Sequence, residues 1–186
     1  MTLDIAAARA ARPYSFAEYA GRVLWALATP LFRCSPRPLH GWRRMLLRVF
    51  GARVGRDVCI DPSVRIAIPW NLCIGDQSSL GDRALVYNLG RVTIGARSTV
   101  SHMAHLCAGS HDYRDPTLPL LRLPIDIGSD VWVCAQAFVG PGLALGDGCV
   151  VGACAVVTRS VEPWSVVAGN PATVLRPRTM HGQAPS

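Results

Sequence analysis

From residue 54 onward an aliphatic side chain returns at every sixth position. Val54, Ile60 and Ile66 make a first run, Ile74, Leu80 and Val86 a second, and Ile94, Val100 and Leu106 a third, each offset from the last by a slip of two residues. After a gap, Ile127, Val133, Val139, Leu145, Val151 and Val157 continue without a break. Six is not a multiple of the helical 3.6, and the glycines, prolines and β-branched residues oppose helix. The period suits a short strand and a turn, three to a coil of about 18 residues, with coils stacked into a solenoid around one continuous core. An antiparallel sandwich would lack the fixed spacing. Glycine follows many of the aliphatic residues, as in Ile74-Gly75, Ile94-Gly95, Ile127-Gly128 and Leu145-Gly146, and is expected at tight corners where φ turns positive.

The pattern differs before residue 54. Phe16, Tyr19, Ala20, Val23, Leu24, Leu27 and Leu31 recur at helical spacing, which predicts an amphipathic helix over 15–31 with Ser15 as N-cap and Pro30 at its end. A second short helix is expected over 39–50, with Trp42, Met45, Leu46, Val49 and Phe50 apolar, Arg43, Arg44 and Arg48 basic, and Gly51 closing it. Residues 1–53 thus read as a helical cap, which an open-ended solenoid needs. A basic, Trp-bearing helix also suits the inner surface of a membrane, and the two roles are compatible. Residues 54–167 form the solenoid. In 168–186, Asn170-Pro171 opens a turn, and a polar tail after Arg178 is expected to be disordered.

Composition narrows the function. Half the residues are hydrophobic, enough for a core. No uninterrupted apolar stretch reaches the roughly 20 residues of a membrane span, and the N-terminus lacks a secretory pattern. Seven cysteines without a CxxC pair argue against a disulfide framework or zinc ribbon and for a reducing cytoplasm, most of them acting as small buried hydrophobes. The net charge of +7, with arginine as the basic residue throughout, favours anionic partners: nucleic acid, cofactor phosphates or lipid headgroups. No nucleic-acid-binding motif supports the first.

The rhythm fails between Leu106 and Ile127. The segment 107–125 is too long for a corner and is expected to leave the scaffold as a loop carrying His111, where a catalytic group could sit. Asn88 falls about one coil before His111. It could face the same cleft and hold a substrate, or it could serve as a turn or ladder asparagine.

The blocks VTIGARSTVSHMAHLCAGSHDYRDP, PIDIGSDVWVCAQAFVGPGLALGDGCVVGACAVVTRSV and PWSVVAGNPATVLRPR resemble the hexapeptide-repeat acyltransferases, and within them the branch assigned to colanic acid and related exopolysaccharide acetylation. The likeness spans residues 54–178. It implies an all-β fold, a left-handed parallel β-helix with one extruded loop, against the usual right-handed crossover. It also implies a homotrimer with sites between neighbouring subunits. The activity implied is transfer of an acetyl group from acetyl-CoA to a hydroxyl of a saccharide or lipid-linked sugar, in the cytoplasm or peripheral to the inner membrane, with no metal. A thioester is already activated, so the need is for a base to take the proton of the attacking hydroxyl, and His111 matches the family's catalytic histidine. Asp112 follows it where the galactoside and maltose enzymes have proline, which leaves Asp112, Asp115 or a backbone carbonyl to orient the ring. By the same resemblance Ala135 and Ala153 line the pantetheine groove, Thr158 and Arg159 contact the cofactor, Arg176 and with it Arg178 meet its phosphates, and Trp132 packs beside pantetheine or acceptor. Asn88, Asp112 and Trp132 form the expected acceptor side. Two rival functions share the scaffold. One is a zinc hydratase like the carbonic anhydrases of this fold, whose ligand spacing His102, His105 and His111 do not match, with 102 and 105 expected at turns or the surface. The other is a scaffold without catalysis.

Overall fold

The computed structural model describes residues 2–11 and 13–180. Residues 54–167 wind into a left-handed parallel β-helix whose three flat faces are built from strands of two or three residues. On the first face Val54, Ile74, Ile94, Ile127 and Leu145 stand in parallel register. Ile60, Leu80, Val100, Val133, Val151 and Val167 line the second, and Ile66, Val86, Leu106, Val139 and Val157 the third. Every aliphatic residue of the six-residue repeat is buried. The two-residue slips fall at one edge, between the third face and the first, where Pro69–Asn71 makes a 3-10 turn in the first coil.

The corner glycines serve a different purpose from the one expected. Gly55, Gly75, Gly95, Gly128 and Gly146 stack in a column along the edge between the first and second faces, and of these five none has a positive φ. They are small because successive coils approach too closely for a side chain. A Cβ on Gly95 would lie 2.5 Å from the backbone of Gly128 and Ser129, and one on Gly75 2.6 Å from the amide nitrogen of Ala96. The left-handed backbone falls two residues later, on Asp57, Gln77, Arg97 and Asp130, with Gly148 in the last coil.

A parallel solenoid leaves the backbone of its first coil unpaired, an exposed edge that needs cover. Among the described residues three helices precede it: α1 (Ile5–Ala10), α2 (Phe16–Arg33) and α3 (His40–Val49). The short α1 lay outside the sequence expectation. Ser15 and Glu18 form a reciprocal capping box at the start of α2, and the helix runs through Pro30 to Arg33 instead of ending there. Three arginines of α3 clamp the first coil. Arg48 donates to the carbonyls of Val54 and Gly55, Arg44 to that of Val58 at 3.0 Å, and Arg43 Nε to that of Ile60 at 2.7 Å. On the third face Trp25 Nε1 donates to the Ile66 carbonyl at 2.8 Å. Arg43 is fully buried and also donates to Ser35 Oγ and to the carbonyls of Pro36 and Arg37. Burial pulls its pKa down, opposed by the charge of Asp61.

The face of α2 that packs inward is Trp25, Ala28 and Phe32, beside Leu46 and Leu47 of α3. The apolar stripe read from the sequence, Phe16 through Leu31, is the outer face of the same helix and is exposed. At the far end Ser165–Gly169 continues the second face, and Ala172–Pro177 folds back on it antiparallel, so the expected turn at Asn170-Pro171 joins a hairpin. Of the tail after Arg178 that was expected to be disordered, Thr179 and Met180 lack regular secondary structure, and 181–186 lie outside the described residues. Of the cysteines only Cys149 is buried. Cys34, Cys59 and Cys154 are exposed and the remainder half-buried; Cys59, Cys73 and Cys107 lie at outward positions of their strands.

Candidate active site

The loop leaves the edge between the third and first faces directly above Tyr87, whose carbonyl accepts from the Ala108 amide at 2.9 Å. It is not shapeless. Ser110–His111 pairs antiparallel with Leu120–Leu121, so a short hairpin holds the histidine away from the solenoid. His111 Nδ1 lies 2.6 Å from the carbonyl oxygen of Leu118. A carbonyl only accepts, so Nδ1 carries the hydrogen and Nε2 is left as the basic nitrogen. The orienting group that the residues left open is thus a backbone carbonyl. Leu118 reaches it from a positive φ of 48°, with its amide bonded to the Asp115 carbonyl. The Asp115 carboxylate accepts from the amide and hydroxyl of Thr117, both at 2.8 Å, and those bonds lower its pKa. Asp112 turns toward Arg114, accepting from its amide at 3.1 Å, and not toward His111.

His111 lines a cleft with Tyr87 and Leu89 from the solenoid, Leu118, Pro119 and Leu120 from the loop, and Ala7, Ala8, Ala11 and Tyr14 from the N-terminal segment. That last wall was missed from sequence. It is fastened to the loop: the Asp4 amide donates to Pro116 O at 2.9 Å, and Arg122 bonds Glu18 at 2.7 Å and the Pro13 carbonyl. Arg22 and Arg122 each stack on the Tyr14 ring, 4.4 Å from its centroid. The Ser15 amide and Arg122 hold the Glu18 carboxyl below its usual pKa.

Asn88 does not line this cleft. Its side chain is fully buried in the edge below, accepting from the Ile68 amide at 2.9 Å and donating to the Ile68 carbonyl at 2.6 Å. The ladder reading describes it, and its full burial withholds the side chain from an acceptor. Trp132 is half-exposed on the second face with Nε1 on Ser101 Oγ at 2.9 Å, away from the His111 edge. Ala135 and Ala153 stack on the edge between the second and third faces, where the Cys154 amide donates to the Ala135 carbonyl. Thr158 and Arg159 are exposed on the same edge as the His111 loop, in the last coil. Arg176 is exposed on the final strand, whereas Arg178 is occupied, donating to the carbonyls of Asp130 and Gly148 at 2.7 and 2.9 Å. One chain therefore gathers His111, Thr158 and Arg159 on one edge and leaves Trp132, Ala135 and Ala153 elsewhere. His102 is exposed at a corner. His105 is half-buried on the outer side of the third face, edge-on to Phe138, with its Nε2 covered and without a partner. Among the described residues no three His, Cys, Asp or Glu side chains group to hold a metal ion.

A triangular parallel solenoid with a histidine-bearing loop at one edge defines a class, the bacterial hexapeptide-repeat transferases, and residues 124–159 match the family model described as "Bacterial transferase hexapeptide (six repeats)". The chain belongs to this family, among its acetyltransferases. It is 45% identical over 154 residues to the putative colanic acid biosynthesis acetyltransferase WcaF of Escherichia coli, covering 83% of this chain and 85% of that one. It is 28% identical to the galactoside O-acetyltransferase of Escherichia coli, over 72% of this chain and 68% of that one. Among solved structures, a hexapeptide-repeat acetyltransferase of Vibrio cholerae complexed with acetyl coenzyme A superposes with a TM-score of 0.82 at 24% identity, over 91% and 93% of the two chains, and so shares the fold.

Proposed function

We propose that this acetyltransferase moves the acetyl group of acetyl-CoA to a hydroxyl of a saccharide, a polysaccharide unit or a lipid-linked sugar, in exopolysaccharide synthesis, with His111 as general base. The observation that carries the reading is the imidazole in the cleft, with Nδ1–H held by the Leu118 carbonyl and Nε2 free. In the reaction the acceptor oxygen attacks the thioester carbonyl carbon while its proton passes to Nε2. The C–S bond then breaks and the thiolate leaves with that proton. Such base catalysis supplies about 10²–10⁴-fold.

Thr158 and Arg159 stand on the edge from which the loop springs, where they can meet the cofactor, and Arg176, exposed on the last strand, is proposed to meet a phosphate. Trp132, Ala135 and Ala153 complete the site only if a neighbouring copy brings its second face and adjoining edge to the His111 edge, which is the reason to propose a homotrimer. The outward ladder Leu85, His105, Phe138 and Val156 on the third face is largely apolar and half-buried, as a subunit contact requires. Acetyl-CoA as donor and the free thiols suit the cytoplasm, and a lipid-linked acceptor would draw the enzyme to the inner membrane.

The test is thiol release from acetyl-CoA in the presence of nucleotide sugars and oligosaccharide repeat units, with light scattering to count subunits. His111→Ala should lower kcat at least about 10²-fold with KM for acetyl-CoA little changed. Full turnover in that variant removes the mechanism.

A further inference from the structure

The helical cap has an outer face with no partner among the described residues. Phe16 is 88% exposed, Leu27 72% and Val49 74%, and Val23, Leu24, Leu31 and Met45 share that surface. The two helices meet there: Trp42 Nε1 donates to the Leu31 carbonyl at 3.0 Å, and Pro30, Leu31, Cys34, Pro36, Leu39 and Trp42 line an apolar groove between them. The capping of the solenoid does not use this face, since Trp25, Ala28, Phe32, Leu46 and Leu47 already do that work from the opposite side. A contiguous apolar surface of this kind marks a contact that the isolated chain does not make.

Charge identifies the occupant. Residues 1–53 hold nine arginines against Asp4 and Glu18, whereas residues 54–186 hold ten arginines and ten acids. The whole net charge of +7 therefore sits in the cap. Arg44 and Arg48 donate to backbone carbonyls, which are neutral, so their charge stays uncompensated. Arg33 is exposed at the end of α2, and Arg37 is exposed with Asp61 at 3.5 Å. A second copy docking cap to cap would set one cationic surface on another. An anionic bilayer offers both an apolar layer for the stripe and phosphates for the guanidinium groups, the arrangement of helices that lie in the interface plane.

We infer that the outer face of α2 and α3 docks this protein on anionic phospholipid, with Phe16, Leu27, Leu31, Trp42 and Val49 entering the headgroup boundary and the exposed Arg33 and Arg37 meeting phosphate. The cap lies on the membrane and does not cross it, because among the described residues no helix is long and apolar enough to do so. The inference does not depend on acyl transfer.

It is tested by floating the full chain with phosphatidylcholine vesicles with and without phosphatidylglycerol. Binding should require phosphatidylglycerol and weaken with salt. Leu27→Asp should lower the partition at least about tenfold and Arg33→Ala about fivefold, with unchanged circular dichroism and unchanged acetyl transfer to a soluble acceptor. Absence of binding to anionic vesicles overturns the inference, as does undiminished binding of Leu27→Asp. A Leu27→Asp chain that loses subunits in light scattering also overturns it, because the face is then a contact between copies. If wild type binds vesicles but releases no thiol from acetyl-CoA, the catalytic reading fails and the docking stands.

Discussion

Replacing Asn88 separates a structural amide from a substrate-binding one. Its side chain satisfies two backbone groups of Ile68, and both residues are fully buried. Asn88→Ala strips the partners from that amide and carbonyl, and no water replaces them without a path inward. Each orphaned group costs about 1–3 kcal/mol, so the two together cost roughly 3–5 kcal/mol with the small void added. For a chain of this size that lowers Tm by about 6–20 °C. Asn88→Asp is the sharper perturbation. It keeps the shape but sets an oxygen where the amide nitrogen stood, 2.6 Å from the Ile68 carbonyl, with a buried charge in addition. It should be less stable than Asn88→Ala at neutral pH and recover part of the loss in acid, where a protonated carboxyl can donate again. Calorimetry reads both. Kinetics below the melting range should find KM for the acceptor unchanged. If either variant melts within a few degrees of wild type yet loses acceptor turnover, the ladder assignment is wrong and Asn88 belongs to the acceptor site.

Gly95→Ala tests the glycine column: with a Cβ 2.5 Å from the backbone above, two coils must separate, and chemical unfolding should show a loss of about 3 kcal/mol. His105 predicts an acid-labile step. Burial holds its pKa below the ordinary value of about 6.5, so the unfolded chain takes up more protons as pH falls below that value. Stability is therefore full above pH about 6.5 and declines below it until the folded-state pKa is passed. His105→Leu should flatten the Tm profile in that window, and an unaltered profile would contradict the burial. The cysteines should divide by exposure. Cys34, Cys59 and Cys154 should alkylate in the native protein, while Cys149, buried and with its thiol pushed up to about 11, should react only on unfolding, as mass mapping would read.

The aliphatic period placed all three faces and the gap at 107–125, because a side chain every sixth residue can be buried continuously in only one way. A separate helical spacing placed α2 and α3, with Ser15 as the local cap signal of α2, but not α1. The repeat carries no mark of handedness, which came from resemblance. Nor does it say what a corner glycine is for: Gly95 and Gly128 look like turn residues in a list of letters, and their need for closeness exists only once coils stack.

The remaining features were decided between segments distant in sequence. Arg43, Arg44 and Arg48 read as a charged helix surface, yet they bond the carbonyls of a coil that ends unpaired. Polar side chains have many satisfactory partners, and only the assembled edge selects one. In the same way Asp112, Asp115 and a backbone carbonyl were equal candidates to steady His111, and the hairpin chose among them by bringing up the Leu118 carbonyl. The α1 segment joins the cleft through Asp4 and Pro116, more than a hundred residues apart. Periodicity is a local property with a single burial solution, so the chain announces its solenoid. The tautomer of His111, the walls of its cleft and the outward apolar face of α2 depend on which surfaces meet, and tertiary packing alone fixes those.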